Sequence, residues 1–360
     1  MSAPRPQPAP ALRERWIAVA GCAPSAHNTQ PWRPVPTGSG VRLTVDPART
    51  LPEADPRHED LHLSLGCWVE ALTIAAAESG WSLQTGPVSG VGPDLVLDFR
   101  FTRTSAPALT GFTVRELRAR QVDRGRLLPD DRALDAAVAE FAALPGCSDL
   151  ALSQLPEPLF SHLQAQSATH VLSTPAMAAE TLGWLRLDPR DPAYQRDGLT
   201  ADCLRLPAGT RMLAPVLGAR AAPVVARALA RVQPLARRVL CTADTVKTLP
   251  AATAASSAVR AVLPGIGRPP ARLVVWGRAE DSGTDPITGI ARGRDLLRLW
   301  LVLGRHGLRV AAHSELKDCP DTREGLRAFL GRRGREGEPC GVFSAGRSSS
   351  PVPRAPRLPV

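Results

Sequence analysis

The chain is short of lysine, of aromatic residues and of long apolar runs. Lys247 and Lys317 are the only lysines among 44 basic residues, and phenylalanine, tryptophan and tyrosine together make up 4% of the 360 positions. No apolar stretch approaches the roughly 18 residues that a membrane-spanning helix needs, so no membrane association is expected. Basic runs with interleaved aromatics are missing, which argues against a nucleic-acid partner despite a net charge of +10. With so much alanine and proline around it, the arginine excess reads as GC-rich coding. A few clustered guanidinium groups still suit a small phosphate. The seven cysteines (22, 67, 147, 203, 241, 319 and 340) are odd in number and scattered, with no C-x-x-C and no paired Cys/His spacing. That excludes a disulfide framework or a structural zinc site and points to a reducing compartment. The opening "MSAPRPQPAPALRERW" lacks an apolar signal core, so a cytoplasmic protein is expected.

What is present is an ordinary globular composition, 44% hydrophobic and 22% charged, with length for two domains or one doubled one. The spacing of Leu12, Trp16, Ile17 and Val19 predicts a helix over residues 10–22, broken by Pro24. "GVRLTVDP" alternates as a strand does, and "RTLPEADPRHEDL" is a polar connection. Residues 62–81 are apolar nearly all round and predict a buried helix. "PDLVLDFR" follows as a strand. An arginine-rich segment leads to a helix introduced by Pro129 and Asp130 and running to Phe141. Helix is expected around "THVLSTPAMAAETLGWLR" within residues 156–186, then a polar loop, "LDPRDPAYQRDGLT". "ARLVVWG" (271–277) reads as a buried strand and residues 292–308 as a long apolar helix.

Two of these pieces match. Gly66 and Gly80 bracket one apolar helix, and Gly293 and Gly307 bracket another with the same spacing. Each helix follows a strand, "RLTV" or "RLVV", by about twenty residues, and the two copies are offset by 227 residues at the helix and 230 at the strand. One strand–loop–helix unit therefore occurs twice. Two buried helices ending on glycine caps would share part of this pattern by chance. A glycine at both entrances is left over, and it lets another backbone or a flat ligand come close.

The segment "CAPSAHNTQPW" gathers a Ser, a His, an Asn and a Gln just past the first helix. Together with "VDPARTLPEADPRHEDLHLSLGCWVEALTIAAAESGW" it resembles the nitroreductase superfamily, and most closely its single-chain tandem branch, the Acg-type FMN-binding oxidoreductases. "RARQVDRGRL" is similar to the arginine segment opening a unit of that family. "WLRLDPRDPAYQRDGL" is similar to the insertion after the second unit's first helix. "GRDLLRLWLVLGRHGL" and "PRAPRLP" are similar to its late helix and basic tail.

The resemblance implies an α+β fold of two tandem nitroreductase-like units, 1–110 and 111–360, with antiparallel-type sheets flanked by helices. The units form an internal pseudo-dimer in a monomer or homodimer. It implies FMN held between the units: Ser25, His27, Asn28 and Gln30 address the ring and ribityl chain. Arg120 and Arg124, with Arg354 and Arg357 from the tail, hold the phosphate, and the backbone of Ala311, Ala312 and His313 lies near the reactive edge. Val122 stands where the family often has a hydroxyl. A second, symmetry-related site looks broken, because "QSATHVLSTPAM" has no Asn or Gln-Pro-Trp and only Arg13 and Arg15 precede residue 22. One FMN per chain is therefore expected. The activity implied is hydride transfer between flavin and a small organic substrate such as a nitroaromatic, a quinone or a biosynthetic intermediate. NAD(P)H or the substrate itself is the reductant, and no catalytic side chain is assigned. The alternative is a low-turnover FMN-sequestering protein, with the loops at 188–220 and 244–270 as lid candidates.

Plainer readings stand beside these. Ser25 and Asn28 can cap the following turn. Arg120 and Arg124 can pair with Glu116 and Asp123 on a solvated face. Trp68 and Trp300 read as core. Glu70, on an apolar helix, needs a partner, for which Arg49 is a candidate. His58, Glu59, Asp60 and His62 cluster in sequence, but without a second ligand group no metal is expected.

Overall fold

The computed structural model describes residues 6–104, 111–147, 149–206, 268–277 and 285–359. Residues 105–110, just before the expected unit boundary, and the lid-candidate residues 207–220 and 244–267 lie outside them. Among the described residues no helix is long and apolar enough to cross a membrane.

The chain begins with α1 (Pro10–Ala20), then β1 (Trp32–Pro36), β2 (Gly40–Val45), α2 (Glu59–Ala77), β3 (Trp81–Ser89) and β4 (Val96–Arg103). The four strands pair antiparallel in the order β1-β2-β4-β3. Further on come β6 (Leu150–Gln154), β9 (Ala271–Gly277), α7 (Pro286–Arg305), β10 (Arg309–Ala312) and β11 (Glu338–Ser348). These strands pair antiparallel as β6-β9-β11-β10. The two halves thus repeat one plan, strand–strand–helix–strand–strand, with the same order in each sheet. The molecule is α+β with antiparallel sheets.

The remaining described elements decorate the second half. They are α3 (Val114–Ala119), β5 (Leu127–Leu128, on β11), α4 (Asp131–Ala142), α5 (Glu157–Ser173), α6 (Pro175–Gly183), the short pair β7 (Leu185–Arg186) and β8 (Leu199–Thr200), α8 (Glu315–Asp318) and α9 (Pro320–Gly331).

Strand chemistry explains how each sheet is dressed. In β2 the side chains of Val41, Leu43 and Val45 are buried while Arg42 faces out, the period of two expected when one face is wet. In β9 nearly every residue is buried, as happens when both faces are covered. Ala271, Leu273 and Val275 enter the main core, and Val274 and Trp276 a second one with Phe160, Leu326 and Phe329 of α5 and α9. The main core draws on both sheets, α2 and α7 together, so the two halves share one interior.

α2 begins at Glu59, three residues earlier than its apolar pattern suggests. Acidic residues at a helix start are favoured by the backbone dipole. It ends by residue 77 because Trp81 already belongs to β3. All of its nineteen residues except Thr73 and Ala77 are buried. Its main partner is α7, started by Asp285, whose carboxylate accepts from the Thr288 amide at 2.8 Å.

The two helices cross at the matched glycines. A Cβ on Gly66 would collide with the Ile290 carbonyl, and one on Gly293 with the Leu63 carbonyl. Both pairings keep the 227-residue offset, so the contact is reciprocal, as at a two-fold interface. Cys67 Sγ adds a contact of 3.1 Å to the Gly293 carbonyl. Neither glycine stands at a helix entrance as expected: each is the eighth residue of its helix, and both serve the approach of backbone to backbone. Gly293→Val forces the helices apart and lowers unfolding stability by about 3 kcal/mol, the upper range for an overpacked core. Gly38→Ala, where a Cβ meets nothing within 4 Å, leaves the urea midpoint unchanged and serves as the control.

Candidate functional site

The loop after α1 is held in an unusual shape. Pro24 ends the helix, and three of the next residues, His27, Asn28 and Gln30, take positive φ of 47°, 56° and 55°. Such geometry is costly for side chains other than glycine, asparagine or aspartate, and it persists only where the surroundings enforce it. Here they do. Ser25 Oγ accepts from the Gln30 amide at 2.9 Å, which closes the loop without capping the turn. Gln30 Nε2 donates to the Arg196 carbonyl (2.8 Å), and Gln30 Oε1 accepts from the Leu358 amide (2.9 Å). Asn28 Nδ2 donates to Gly198 O (3.2 Å) and Pro356 O (3.0 Å), and its Oδ1 accepts from Arg357. The loop thus joins the 185–206 insertion to the C-terminal tail. The side chains of Asn28 and Gln30 are committed to that joint, and Gln30 does not border the cavity beside it.

That joint frames two adjoining hollows. The smaller, about 130 Å³, is bordered by Arg118, Arg120, Arg124, Arg354 and Arg357, and among the described residues no carboxylate side chain borders it. Arg120 sits at the end of α3, where the chain turns extended, and Arg124 follows in the next turn. The acids beside them in sequence are taken by other cations. Glu116 pairs with Arg305, and Asp123 with Arg205 at 2.9 Å. The solvated ion-pair reading of Arg120 and Arg124 therefore fails. Arg120 donates once, to Cys22 O at 3.0 Å, while its Nε and NH1 are shut off from solvent with no partner. Burial, then the nearby Arg357, pushes its pKa down to about 10. Burial lowers Arg124 and Arg357 as well. Arg357 is anchored on Cys22 O at 3.2 Å, and Arg354 is exposed at the rim. Arg120, with two nitrogens unpartnered away from water, and Arg124 and Arg357, with no ion pair among the described residues, call for an anion between them.

The larger hollow, about 510 Å³, shares Pro24, Ser25, Val122, Arg124 and Leu199 with the smaller, so one ligand can span both. Its wall is mostly apolar: Leu63 and Cys67 of α2, Leu296 and Trp300 of α7, and Val171 and Met177 from α5 and α6. His27 borders it with Nδ1 buried and unpartnered. Burial, and secondarily Arg124, lowers the His27 pKa and keeps the ring neutral. Of the three residues expected near a reactive edge, Ala312 borders the cavity. Ala311 is a buried strand residue paired with Ser344, and His313 Nε2 lies 2.7 Å from Ser344 Oγ. Trp300 is buried as read, yet also borders the cavity, whereas Trp68 is wholly core.

One reading is corrected, the partner of Glu70. Glu70 is paired with Arg298 (2.7 Å) and Arg294 (2.9 Å) across the α2–α7 contact. Arg49 goes instead to Asp197 at 3.0 Å and to the Thr29 carbonyl at 2.8 Å. The segment "QSATHVLSTPAM" supplies Ala168, His170, Val171, Leu172 and Met177 to the wall of this same cavity. Arg13 is spent on the Thr37 and Gly38 carbonyls.

The His58–His62 segment builds no metal centre. Glu59 is bound by Arg323, Asp60 by Lys317 at 2.9 Å, and burial pushes His62 down to about 4. Among the described residues no group of three or more histidine, cysteine or acidic side chains is placed to hold a metal. The six cysteines among them are free. Those bordering the cavity include Cys67 and Cys340, both pushed up to about 12 by burial, so neither is a ready nucleophile.

Sequence reading missed Asp60, Ser64, Lys317 and Asp318 on the cavity wall. One signal was there: a chain with two lysines places one of them here. Compared with models of known protein families the chain matches none, and it matches no curated protein.

Proposed function

We propose that the protein is an FMN-dependent oxidoreductase of the nitroreductase type, built as two tandem units with one flavin site per chain. The observation that carries this reading is the five-arginine, carboxylate-free hollow opening into an apolar cavity. A phosphate on a short polar chain attached to a flat ring has that distribution of charge. The repeated antiparallel plan supports it, as does the resemblance of "APSAHNTQPW" and the segment after it.

The residues fit such a group. Arg120, Arg124 and Arg357 would hold the phosphate, their planar forks each able to grip two oxygens. Ser25 and the unpartnered Nδ1 of His27 offer neutral polar contacts, and Val171, Met177 and Trp300 offer apolar surface to a ring. Bound FMN supplies two-electron redox chemistry. The chain binds and orients it, excludes water with the α5–α6 wall, and places no carboxylate at the phosphate end. NADH or NADPH is the proposed reductant, a small organic molecule the substrate, and the cytoplasm the proposed location.

A low-turnover flavin-sequestering role is the second reading. It is favoured by how firmly the insertion is pinned over the site. Asp197 is gripped by both Arg49 and Arg186, and Gly198 donates to the Asn28 carbonyl at 3.2 Å. Absorbance between 300 and 550 nm separates the two. Protein reconstituted with FMN and kept free of oxygen bleaches on addition of NADH or NADPH if it is a reductase. A stoichiometric flavin spectrum that neither nucleotide changes favours sequestration or an oxidase reduced by its own substrate.

A further inference from the structure

The far wall of the larger cavity carries a buried ionic group that the flavin reading does not use. Lys317, on the single turn of α8 that follows β10, has a side chain 1% exposed. Its ammonium contacts Asp318 and lies 2.9 Å from Asp60 Oδ1 at the start of α2. The Asp60 and Asp318 side chains are 11% and 13% exposed, and both border the cavity with Lys317. Asp55 is buried behind them, its Oδ2 accepting from the Leu61 amide at 2.9 Å.

The neighbouring charges are otherwise engaged. Glu59 is bound by Arg323, with Arg57 at 3.2 Å from its other oxygen and Lys317 at a distant 3.9 Å. Glu338, on β11, takes Arg327 at 2.9 Å and Arg323 at 3.4 Å. The thiol of Cys340 stays protonated. Glu315 lies nearest His313, at 3.6 Å from its Nδ1. One ammonium is therefore left to balance three carboxylates, those of Asp55, Asp60 and Asp318, away from bulk water. One ammonium cannot neutralise three such carboxylates.

We propose that Asp318, set by Lys317 and crowded by Asp60, holds a dissociable proton at the cavity wall and donates it to bound substrate. The titration directions agree with the geometry. Burial raises Asp318 well above the ordinary carboxyl range against the pull of Lys317. Burial, then Asp60, pushes Asp55 up to about 7. Burial disfavours the Lys317 ammonium, but Asp318, Asp60 and Asp55 outweigh it and hold the charge.

The step is a proton transfer. A carboxyl O–H breaks, a substrate heteroatom gains the proton, and the carboxylate left behind stays paired with Lys317 until a solvent proton restores it. In a net reduction the two electrons and the other proton come from the reduced flavin of the proposed function, on which this donor role rests. Lys317 is a positioning residue, since it keeps its own proton throughout.

Infrared spectra of the full-length, flavin-free protein, unlabelled and labelled with 13C at the aspartate carboxyl, test the proton directly. The expected result is an isotope-sensitive carboxylic-acid C=O band at pH 7 that Asp318→Asn weakens, Asp55→Asn leaves visible and Asp295→Asn retains. Asp60→Asn keeps the test open if Asp318→Asn does not fold. Removing one of three crowded carboxylates lowers the titration midpoint of the band by about one pH unit or more. No such band in the wild type at pH 7 overturns the proposal, whatever FMN does. With menadione as acceptor and the nucleotide that reduces the flavin, kcat falls above the midpoint of the band in the wild type. Asp318→Asn loses that pH dependence together with at least a tenfold drop in kcat. An unchanged kcat profile in Asp318→Asn overturns the donor role even where the band is present.

Discussion

Replacing Arg120 and Arg124 together with alanine weakens FMN binding by about a hundredfold to ten-thousandfold, since a hydrogen bond to a charged group contributes about 1.5–3 kcal/mol. The same variant melts higher than the wild type when no ligand is present. Both effects have one cause. Arg120 has two nitrogens with no partner and no access to water, and Arg124 has neither hydrogen bond nor ion pair among the described residues. In the free protein Arg120 is buried beside Arg357, and alanine removes that penalty. In the proposed complex the two arginines are what the phosphate meets. Titration calorimetry with FMN gives the affinity, and a thermal melt of ligand-free protein gives the stability. Arg120→Lys does not restore binding, because an ammonium cannot grip two oxygens in a plane as a guanidinium does. Were the arginines merely a solvated face, alanine would leave both readings near the wild-type values.

Glu70→Ala is the most damaging single change outside the site. Glu70 has no exposed surface and receives three contacts of 2.7–3.1 Å from Arg294 and Arg298. Glu70 holds the Arg298 guanidinium well above its ordinary pKa, although burial opposes the charge. Removing the carboxylate leaves buried Arg298 with Asp295 alone, at 3.2 Å, and costs about 3 kcal/mol of stability. Urea unfolding shows this as a large fall in midpoint. The double variant Glu70→Leu, Arg298→Leu recovers much of the loss, because apolar packing can replace a buried ion pair. The damage extends to ligand binding. α2 carries Asp60, Ser64 and Cys67 to the cavity, and α7 carries Leu296 and Trp300.

The apolar segments were the readable part of this chain. The strand at 271–277 falls where its hydrophobic run says it should, because a strand covered on both faces has no polar residues to blur it. The helix pair around Gly66 and Gly293 was legible as a repeat, and the reason for both glycines is the carbonyl each lets in. β3, β10, β11 and α9 were not read. β3 carries Gly86 and Pro87 and is mostly exposed, so it shows no clean alternation. β10 is only four residues long.

For the site, Arg120, Arg124 and Arg357 could be found from spacing and resemblance, since what fixes them is a turn at the end of α3 and a tail crossing back to Cys22. The acids near Arg120 misled, because Arg305 and Arg205, distant in sequence, reach them first. Asn28 and Gln30 were readable as a polar cluster. Their commitment to residues 196–198 and 356–358 depends on chain crossings that no local pattern encodes. The Lys317 group escaped for the same reason, with α2 supplying Asp60 and α8 supplying Lys317 and Asp318 from more than 250 positions away.

The most direct test is calorimetric titration of the full-length protein with FMN and, separately, with riboflavin, the same ring and side chain without the phosphate. The account predicts one FMN bound per chain and riboflavin weaker by at least a hundredfold. Equal affinity for the two would contradict the arginine hollow as the phosphate site. No binding of either would contradict the flavin assignment itself.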